Sequence, residues 1–502
     1  MAFTQGVGVR LASIYIFRKN PSPFKLRRWV FFCTKKRGFM AVTSPFDIIA
    51  DLDTPVSAFL KLRKLQPQFL LESVERGERL ARYSFLGFGD AVKVHFDNSG
   101  LYLNEALVGH PNNKEQYLDY LRQFLKTSPE LKPKIDELPF SGGLVGVSGY
   151  DIVRLFEKLP SKIALQENLP KAIFVMPASV LVFDHLTRRV ALLHAGSEKE
   201  RMKLRDKVIK NLRGPLPKNA SVAKIEDPHV GMSEAEFVKR VEQCKKWIDS
   251  GDIYQIVLSV VFKGQSKVDS FDVYRAMRLL NPSPYMFYFD FGALRVAGSS
   301  PEALVKLDGN KASLRPIAGT MPRGSTLIED QSNEELLLND PKESAEHIML
   351  VDLARNDLGR VAKENSIEVN PFRVIERYSH VMHIVSGVRG ELAKGRDAFD
   401  LFAASFPAGT LVGAPKIRAM EIIEDMETEG RGLYGGTAGY FDIDGDMDQA
   451  ITIRTIVFND DEYCYQAGAG IVKDSIPENE YAEVFAKSAV LKKALTMAGE
   501  GL

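Results

Sequence analysis

Apolar residues recur at roughly helical spacing in residues 343–360, and this pattern predicts a buried helix in the second half of the chain. Polar groups interrupt the apolar run, among them Asp352 and Asp357. Burying such groups is costly unless each one has a partner. Glu343 and Glu346 lie on one face near the start of the helix. Taken alone, this acidic first turn is typical of a solvated helix end with structural ion pairs.

A second acidic helix is predicted near the C-terminus, over residues 477–495. Glu480, Glu483 and Lys487 fall on one stripe of it. One interpretation is a surface Glu–Lys pair, which contributes a few tenths of a kcal/mol. The other is that Glu346 and Glu483 converge on one hard cation. A site with one or two protein carboxylates, completed by water and substrate oxygens, suits Mg2+. Spacing alone leaves both interpretations open.

Strand patterns and helix patterns elsewhere come in separate runs, which favours an α+β fold over regular strand–helix alternation. Ser233 and Glu236 have the form of a capping box. Glycine-rich residues 140–150 lack the ending of a phosphate-binding loop and favour close packing of strands. Two short strands are predicted at 83–87 and 91–96. The pattern divides the chain into a basic extension at 1–45, a regulatory-type α+β region at 46–213, a linker at 214–229 and a catalytic-type region at 230–498.

The overall composition is that of an ordinary globular protein, with 502 residues, 45% hydrophobic and 26% charged. No run of about 18 apolar residues occurs, so no transmembrane span is predicted. Cys33, Cys244 and Cys464 show no metal-ligand spacing, which argues against zinc, an iron–sulfur cluster or a disulfide framework. This usage suits a reducing compartment, and we expect a cytoplasmic protein.

Basic residues are concentrated at the N-terminus, where residues 1–46 hold nine Lys or Arg and no acid. The remainder has 57 basic against 65 acidic residues. Such a stretch is typical of an organellar presequence or a nucleic-acid-binding arm, or it precedes a true start at Met40. The acidic body disfavours nucleic-acid binding. We therefore expect a dispensable extension.

Eight segments, in order and with matching spacing, make the chain resemble the chorismate-utilising enzyme family over about residues 46–498. The resemblance implies paired antiparallel sheets flanked by helices, with the active site in the cleft. It also implies a lyase that forms anthranilate and pyruvate from chorismate and ammonia, the first committed step of tryptophan biosynthesis. The segments are SPEALV (300–305), RPIAGTMPRG (315–324), ESAEHIMLVDLARNDLGRV (343–361), YSHVMHIVSGV (378–388), FPAGTLVGAPK (406–416), GLYGGTAGYF (432–441), AITIRT (450–455) and QAGAGIV (466–472).

The resemblance assigns roles by motif position. Glu346 and Glu483 match the Mg2+ ligands, and Glu302 matches the general acid, which would need a raised pKa. His383 matches a histidine implicated in pyruvate elimination, although a lone histidine in an apolar strand is more often a packed core residue. The remaining positions match residues that hold the substrate or its carboxylates, and Thr410 is also assigned a catalytic role. These positions are Thr320, Thr410, Tyr434, Arg454, Gly468, Ala469, Gly470 and Lys487.

Two positions separate the branches of the family. Relatives that add water carry a lysine at the position of Gln255, and relatives that form aminodeoxychorismate carry a lysine at the position of Ala318. Both are uncharged here, which suits ammonia, a nucleophile that needs neither lysine. Aminodeoxychorismate synthesis is the nearest alternative, and a non-catalytic tryptophan-sensing protein on the same scaffold is another.

The resemblance also implies partners. No cysteine lies in a glutaminase-type nucleophile elbow, so a separate glutamine amidotransferase subunit is expected, in a heterotetramer of two large and two small subunits. Tryptophan is expected as a feedback inhibitor, although a plain strand edge and a Pro-rich turn would have the same sequence. Its predicted contacts are Glu72 for the ammonium, Ser73 and Asn281 beside it, and Pro284, Tyr285 and Met286 around the indole.

Overall fold

The computed structural model of the protein describes residues 44–73, 82–166, 169–217, 222–377 and 381–502. Helices and antiparallel strands share these residues, so the predicted α+β class is confirmed. The predictions for the N-terminal extension up to residue 43, for part of the linker and for the first three residues of the segment at 378–388 lie outside the described residues.

Eleven α-helices occur in the described residues, and none of them is long and apolar enough to cross a membrane. The capping box predicted at Ser233 and Glu236 is confirmed at the start of α5. The helices are α1 Pro55–Lys61, α2 Lys114–Lys126, α3 Val153–Phe156, α4 Glu198–Leu212, α5 Glu234–Asp249, α6 Ser270–Leu280, α7 Leu327–Asn339, α8 Pro341–Gly359, α9 Ala398–Ser405, α10 Lys416–Met426 and α11 Pro477–Glu500.

The strands come in runs that are separated by these helices. They are β1 Ile48–Ile49, β2 Pro67–Glu72, β3 Tyr83–Phe96, β4 Leu101–Leu103, β5 Ala106–Gly109, β6 Gly143–Ser148, β7 Ala172–Asp184, β8 Arg189–His194, β9 His229–Val230, β10 Gln255–Gln265, β11 Tyr285–Asp290, β12 Leu294–Ser300, β13 Ala303–Asp308, β14 Lys311–Leu314, β15 Ile317–Pro322, β16 Glu368–Val369, β17 Val374–Arg377, β18 Val381–Val385, β19 Val388–Glu391, β20 Gly413–Ala414, β21 Thr437–Asp442, β22 Met447–Ile451, β23 Thr455–Asn459 and β24 Glu462–Ile471.

All but three of these strands join one antiparallel sheet whose two arms leave β7. The first arm runs β7–β3–β2–β11–β12–β23–β24–β10. The second runs β7–β6–β21–β22–β13–β14–β19–β16. Each arm contains strands from both predicted α+β regions, so the regions share one sheet. Their division into separate domains stays a prediction.

Apolar side chains from both arms pack against each other. One buried cluster contains Phe69 and Phe287 from the first arm together with Val145 and Ala438 from the second. A larger cluster packs the helices onto the sheet, for example through Phe271 of α6. The core therefore lies partly between the two arms and partly under the helices, as expected for paired sheets flanked by helices.

The glycine-rich stretch at 140–150 contributes β6, between β7 and β21. A Cβ atom at Gly146 would lie 2.1 Å from the carbonyl oxygen of Ile173. The prediction of close backbone packing is confirmed. The prediction of two short strands at 83–87 and 91–96 is wrong in one respect, because β3 is a single strand of 14 residues. A shift of register beside Gly89, whose φ is +81°, bends that strand without ending it.

Helix α8 is less buried than its composition predicts. Leu350 and Leu358 are buried, whereas Asp352 is exposed and its carboxylate pairs with Arg355 at 3.0 Å. Asp357 is the acid on the buried face, and Lys416 of α10 donates to both of its oxygens, at 2.8 and 2.9 Å. The polar groups in the apolar run are therefore either solvated or paired.

The three strands outside the main sheet form a small sheet of their own, in the order β15–β18–β17. Its own apolar core is small, and consists of Leu337, Met382 and Ile384 with a few partly buried neighbours. Helices α7 and α8 both contact β15. This small sheet carries two of the predicted site residues, Thr320 and His383.

Candidate active site

Four of the predicted site residues come from distant parts of the chain. Glu302 follows β12, and Thr410 lies in a 3-10 turn at Gly409–Leu411. Arg454 lies between β22 and β23, and Tyr434 precedes β21. Both arms of the sheet therefore contribute residues to one region.

Glu302 is a carboxyl group with a strongly altered pKa. Its backbone oxygen accepts from the Ile451 amide at 3.0 Å, and its side-chain Oε1 accepts from the hydroxyl of Thr410 at 3.0 Å. Burial raises the pKa of Glu302 to about 7, while the Thr410 hydrogen bond and the charge of Lys487 oppose that rise. The carboxyl group is therefore about half protonated near neutral pH, as a general acid should be.

Arg454 is half-buried without a counter-ion. Within the described part of the chain, no carboxylate oxygen lies within 4.0 Å of its guanidinium. Burial lowers its pKa, and the nearby Tyr434 opposes that change. Its φ is +50°, an unfavourable conformation for a residue with a side chain, and its backbone oxygen accepts from the Ser299 amide at 3.1 Å. A strained, partly desolvated cation of this kind is suited to an anionic ligand.

Strand β24 passes very close to the side chains around it. A Cβ atom at Gly468 would lie 2.8 Å from the Tyr434 hydroxyl, and one at Gly470 would lie 2.8 Å from Nε2 of Gln255. Ala469, between these glycines, is fully buried. At Gly468 a Cβ would also lie 2.7 Å from the carbonyl oxygen of Leu258, so only glycine fits there, and the Tyr434 hydroxyl and the Gln255 amide lie directly against the end of this strand.

Lys487 connects this strand to α11. Its ammonium donates to the carbonyl oxygen of Gly468 at 3.0 Å and pairs with Glu483 at 2.6 Å. It also acts electrostatically on Glu302 and on Glu346. Lys487 therefore lies between the general-acid position and the carboxylates of α8 and α11.

The carboxylates of Glu346 and Glu483 interact electrostatically. Burial raises the pKa of Glu346, and the negative charges of Glu343 and Glu483 raise it further. Glu480 behaves in the same way, with burial as the main cause and Glu483 as a contributing charge. Over the described residues, no group of three or more Asp, Glu, His or Cys side chains has metal-binding geometry. Glu343, Glu346, Glu480 and Glu483 therefore form a group of carboxylates that influence one another electrostatically, and the assignment of two of them as metal ligands stays a prediction.

His383 and Thr320 face each other across the small sheet. Nδ1 of His383 lies 2.9 Å from the carbonyl oxygen of Gly319 and 3.1 Å from the Thr320 hydroxyl. Because a carbonyl oxygen only accepts, Nδ1 carries the proton and Nε2 is the basic nitrogen. Burial lowers the pKa of His383, which keeps the ring neutral. A Cβ atom at Gly319 would lie 3.1 Å from Oε2 of Glu343, which places this sheet beside the carboxylates.

The two segments predicted to bind tryptophan are adjacent, because β2 pairs with β11 and Met286 lies opposite Glu72. Glu72 is buried and already has partners. The Tyr274 hydroxyl donates to it at 2.5 Å, and Nε of Arg278 lies 3.3 Å from it. Ser73, Pro284 and Tyr285 are half-buried. The side chain of Asn281 donates to Ser299 at 3.0 Å, and the Ser299 amide in turn donates to the backbone of Arg454.

Sequence reasoning missed several polar residues of this region. Glu343 belongs to the carboxylate cluster, and Arg278 holds Glu72. Glu427 and Arg431 form a buried ion pair behind the site. Their spacing of four residues was a visible signal, but such pairs are common on exposed helices and give no sign of burial.

Comparison with known proteins agrees with this geometry. A profile described as chorismate binding enzyme matches residues 66–493, and the chain belongs to that family. Anthranilate synthase component 1 of Acetivibrio thermocellus is 40% identical, over 90% of this chain and 95% of that protein. The Thermus thermophilus protein of the same name is 43% identical, over 90% and 98%. The crystal structure of anthranilate synthase component I from Streptococcus pneumoniae superposes with a TM-score of 0.74 at 35% identity, over 88% of this chain and 98% of that one.

Proposed function

We propose that this chain is the chorismate-converting component of an anthranilate synthase, which forms anthranilate and pyruvate from chorismate and ammonia. The observation that carries the proposal is the proximity of Glu302, an acid with a pKa of about 7, to Arg454, whose guanidinium has no carboxylate within 4.0 Å among the described residues. Their backbone segments run side by side, joined by hydrogen bonds at 3.0 and 3.1 Å. The relatives, about 40% identical over most of the chain, support the same reaction.

In the proposed mechanism, Arg454 and the Tyr434 hydroxyl hold the carboxylates of chorismate, together with the amides exposed at Gly468 and Gly470. Glu302 donates its proton to the departing C4 hydroxyl while ammonia attacks C2. The Thr410 hydroxyl stabilises the carboxylate that remains, because it already donates to Glu302 at 3.0 Å. Elimination of pyruvate then makes the ring aromatic.

His383 is assigned to that elimination. Its lowered pKa keeps the ring neutral, and the Gly319 carbonyl fixes the proton on Nδ1. Nε2 is therefore the atom that takes the proton lost from the ring carbon. Gln255 and Ala318 are uncharged, so neither supplies the lysine that the branches using water or a covalent intermediate require. This favours ammonia over water as the nucleophile.

Mg2+ is the proposed metal, held by Glu346 and Glu483. The fit rests on the hard oxygen donors and on the raised pKa of Glu346, which is caused mainly by burial and further by the charges of Glu343 and Glu483, which a divalent ion would offset. When bound, the ion supplies positive charge that holds the ring carboxylate. Because Lys487 pairs with Glu483 at 2.6 Å, its ammonium competes for one of the proposed ligands.

A glutamine amidotransferase subunit is the proposed ammonia source, in a heterotetramer of two large and two small subunits. The relatives' name, component 1, supports a second component. The isolated chain should use ammonium salt but not glutamine, and glutamine-dependent activity should appear when the second subunit is added. Glutamine-dependent activity of the isolated chain would contradict this proposal. A cytoplasmic location remains a prediction from the cysteine pattern.

Tryptophan is the proposed inhibitor, bound between β2 and the segment that begins at Asn281. The pairing of these strands supports the site, and in this proposal Pro284, Tyr285 and Met286 surround the indole ring. In this proposal the ammonium of tryptophan competes with Arg278 for Glu72. A Ser73→Phe variant should lose inhibition while keeping activity. Equal inhibition of the variant and the parent would contradict the site.

Product analysis tests the central proposal. Purified protein is mixed with Mg2+ and chorismate, with either ammonium salt or water as the only nucleophile. Fluorescent anthranilate and an equal amount of pyruvate should form with ammonium, and a Glu302→Gln variant should form both about a hundredfold or more slowly. Isochorismate in water alone would favour the water-adding branch. An amino product without pyruvate would favour aminodeoxychorismate synthesis, and no turnover would favour a sensing protein.

A further inference from the structure

Arg431 and Glu427 form a fully buried ion pair outside the set of residues that the proposed mechanism uses. Their side chains are 1% and 2% exposed, and Arg431 donates to the two carboxylate oxygens at 2.9 and 2.7 Å. Replacing a buried ion pair by apolar residues of similar volume is often neutral or stabilising. Stability alone therefore gives a weak account of this pair, and its contacts point to a geometric role.

The remaining contacts of Arg431 reach two separate segments of backbone. One guanidinium nitrogen donates to the carbonyl oxygen of Leu411 at 2.6 Å, and another donates to that of Val257 at 2.9 Å. Glu427 in turn accepts from the amide and the hydroxyl of Ser259, at 3.0 and 2.6 Å. The pair therefore fixes the distance between β10 and the turn that contains Leu411.

The turn and strand held in this way both carry parts of the site. Leu411 follows Thr410, whose hydroxyl donates to Glu302. In the pairing of β10 with β24, Val257 lies opposite Gly470 and Ser259 lies opposite Gly468. A shift of the turn relative to the strand would therefore move the Thr410 hydroxyl, which donates to Glu302, away from its position relative to Gly468 and Gly470.

Tyr434 is the third group that Arg431 contacts. The guanidinium carbon lies 5.7 Å from the centre of the Tyr434 ring and 4.9 Å from that of Tyr150, within the range of a cation–π contact. The backbone amide of Tyr434 donates to the carbonyl oxygen of Arg431 at 2.9 Å. Because the Tyr434 hydroxyl lies against Gly468, the orientation of this ring decides where the hydroxyl meets the substrate.

We propose that Arg431, supported by Glu427, is a positioning residue for substrate binding and proton donation. It holds Tyr434 and the turn carrying Thr410 in register with β10, although it does not itself touch substrate. The inference rests on the proposed function, because the groups it positions are assigned there. A lysine keeps the charge but lacks the planar fork that serves the carboxylate and two carbonyl groups together.

Two variants test the inference, Arg431→Lys and the double variant Arg431→Met with Glu427→Met. The double variant removes both charges, so no unpaired charge is left buried. For both, the KM for chorismate should rise and kcat should fall, with kcat/KM reduced on the order of a hundredfold, as for displaced catalytic groups. The alkaline limb of the pH–rate profile should also move upward, because Thr410 no longer holds Glu302. A control, Arg154→Lys, alters a largely buried pair with Glu424, whose other hydrogen bonds among the described residues go to Asp151, Pro160 and Lys162.

The results separate the inference from the proposed function. If the parent forms no anthranilate, the proposed function fails. If the parent is active and the folded variants keep its KM, kcat and pH profile, the inference is overturned. The same conclusion follows if Arg154→Lys matches Arg431→Lys at equal loss of melting temperature. If both Arg431 variants fail to fold, Ser259→Ala decides, because it leaves the Arg431–Glu427 ion pair in place and removes the hydroxyl that donates to Glu427 and accepts from the Gln466 side chain at 2.8 Å. It should raise the KM severalfold, and an unchanged KM would overturn the inference.

Discussion

Replacing Thr410 with valine tests whether Glu302 acts as the general acid. The Thr410 hydroxyl donates to Oε1 of Glu302 at 3.0 Å and favours the ionised carboxylate, so it lowers a pKa that burial raises to about 7. A hydrogen bond to a charged group contributes about 1.5 to 3 kcal/mol. At about 1.4 kcal/mol for each pH unit, its loss should raise the pKa of Glu302 by about one to two.

The assay is the pH dependence of kcat/KM for chorismate, which reports the ionisation of the free enzyme. Anthranilate fluorescence gives the rate, and the total ammonium concentration is adjusted at each pH so that free ammonia stays constant. Since Glu302 must be protonated to act, the parent should lose activity as the pH rises through about 7. In the Thr410→Val variant this loss should begin about one to two pH units higher.

Two results would refute the reasoning. If the alkaline limb of Thr410→Val coincides with that of the parent, another group controls the profile. If the limb moves downward, the hydroxyl favours the protonated form, and the assigned direction of donation is wrong. Glu302→Gln is the control, because it should lower kcat by about a hundredfold or more and leave any remaining activity without this limb.

Three further predictions address binding, metal dependence and stability. Arg454→Lys should raise the chorismate KM by about tenfold or more, because lysine lacks the planar guanidinium that can bind a carboxylate through two hydrogen bonds. The melting temperature should change little, because Arg454 has no ion pair among the described residues. An unchanged KM would contradict the assignment of Arg454 to substrate binding. Glu346→Gln should raise the Mg2+ concentration for half-maximal activity at least about tenfold, and an unaltered Mg2+ titration would remove this residue from the proposed ligands. Because the folded protein binds a proton at Glu302 between pH 4.5 and about 7, stability should fall as the pH rises through this window. The free energy of unfolding in urea is measured at both ends of this window, and between them the Glu302→Gln variant should lose about 3 kcal/mol less than the parent. Equal losses in the two proteins would argue against the raised pKa of Glu302.

The sequence predicts local features well and long-range pairs poorly, for a physical reason. The capping box at Ser233 and the glycine packing at Gly146 depend on neighbouring residues or on the absence of a side chain, and both are visible in a short window. Thr410 and Glu302 are 108 residues apart, and no periodicity relates them. Only the family resemblance could place them together.

Two tertiary contacts are invisible to the local pattern for the same reason. Glu72 pairs with Arg278, on α6 far along the chain, and nothing in the sequence around Glu72 indicates this partner. The bend in β3 reads as a break because a glycine and an aspartate interrupt its pattern, whereas pairing with β7 continues on both sides of the bulge. Tertiary contacts decided both cases, and the local pattern contained no information about them.

If chorismate and Mg2+ bind as proposed, the charges of the site predict that each favours the other. Arg454 has no carboxylate partner within 4.0 Å among the described residues, while burial and, further, the negative charges of Glu343 and Glu483 raise the pKa of Glu346. A dicarboxylate alone would satisfy Arg454 but add negative charge beside Glu346, and a divalent cation alone would satisfy the glutamates but leave the guanidinium unpaired. The two together correct both imbalances. Each should therefore tighten the binding of the other, and by linkage the two factors must be equal.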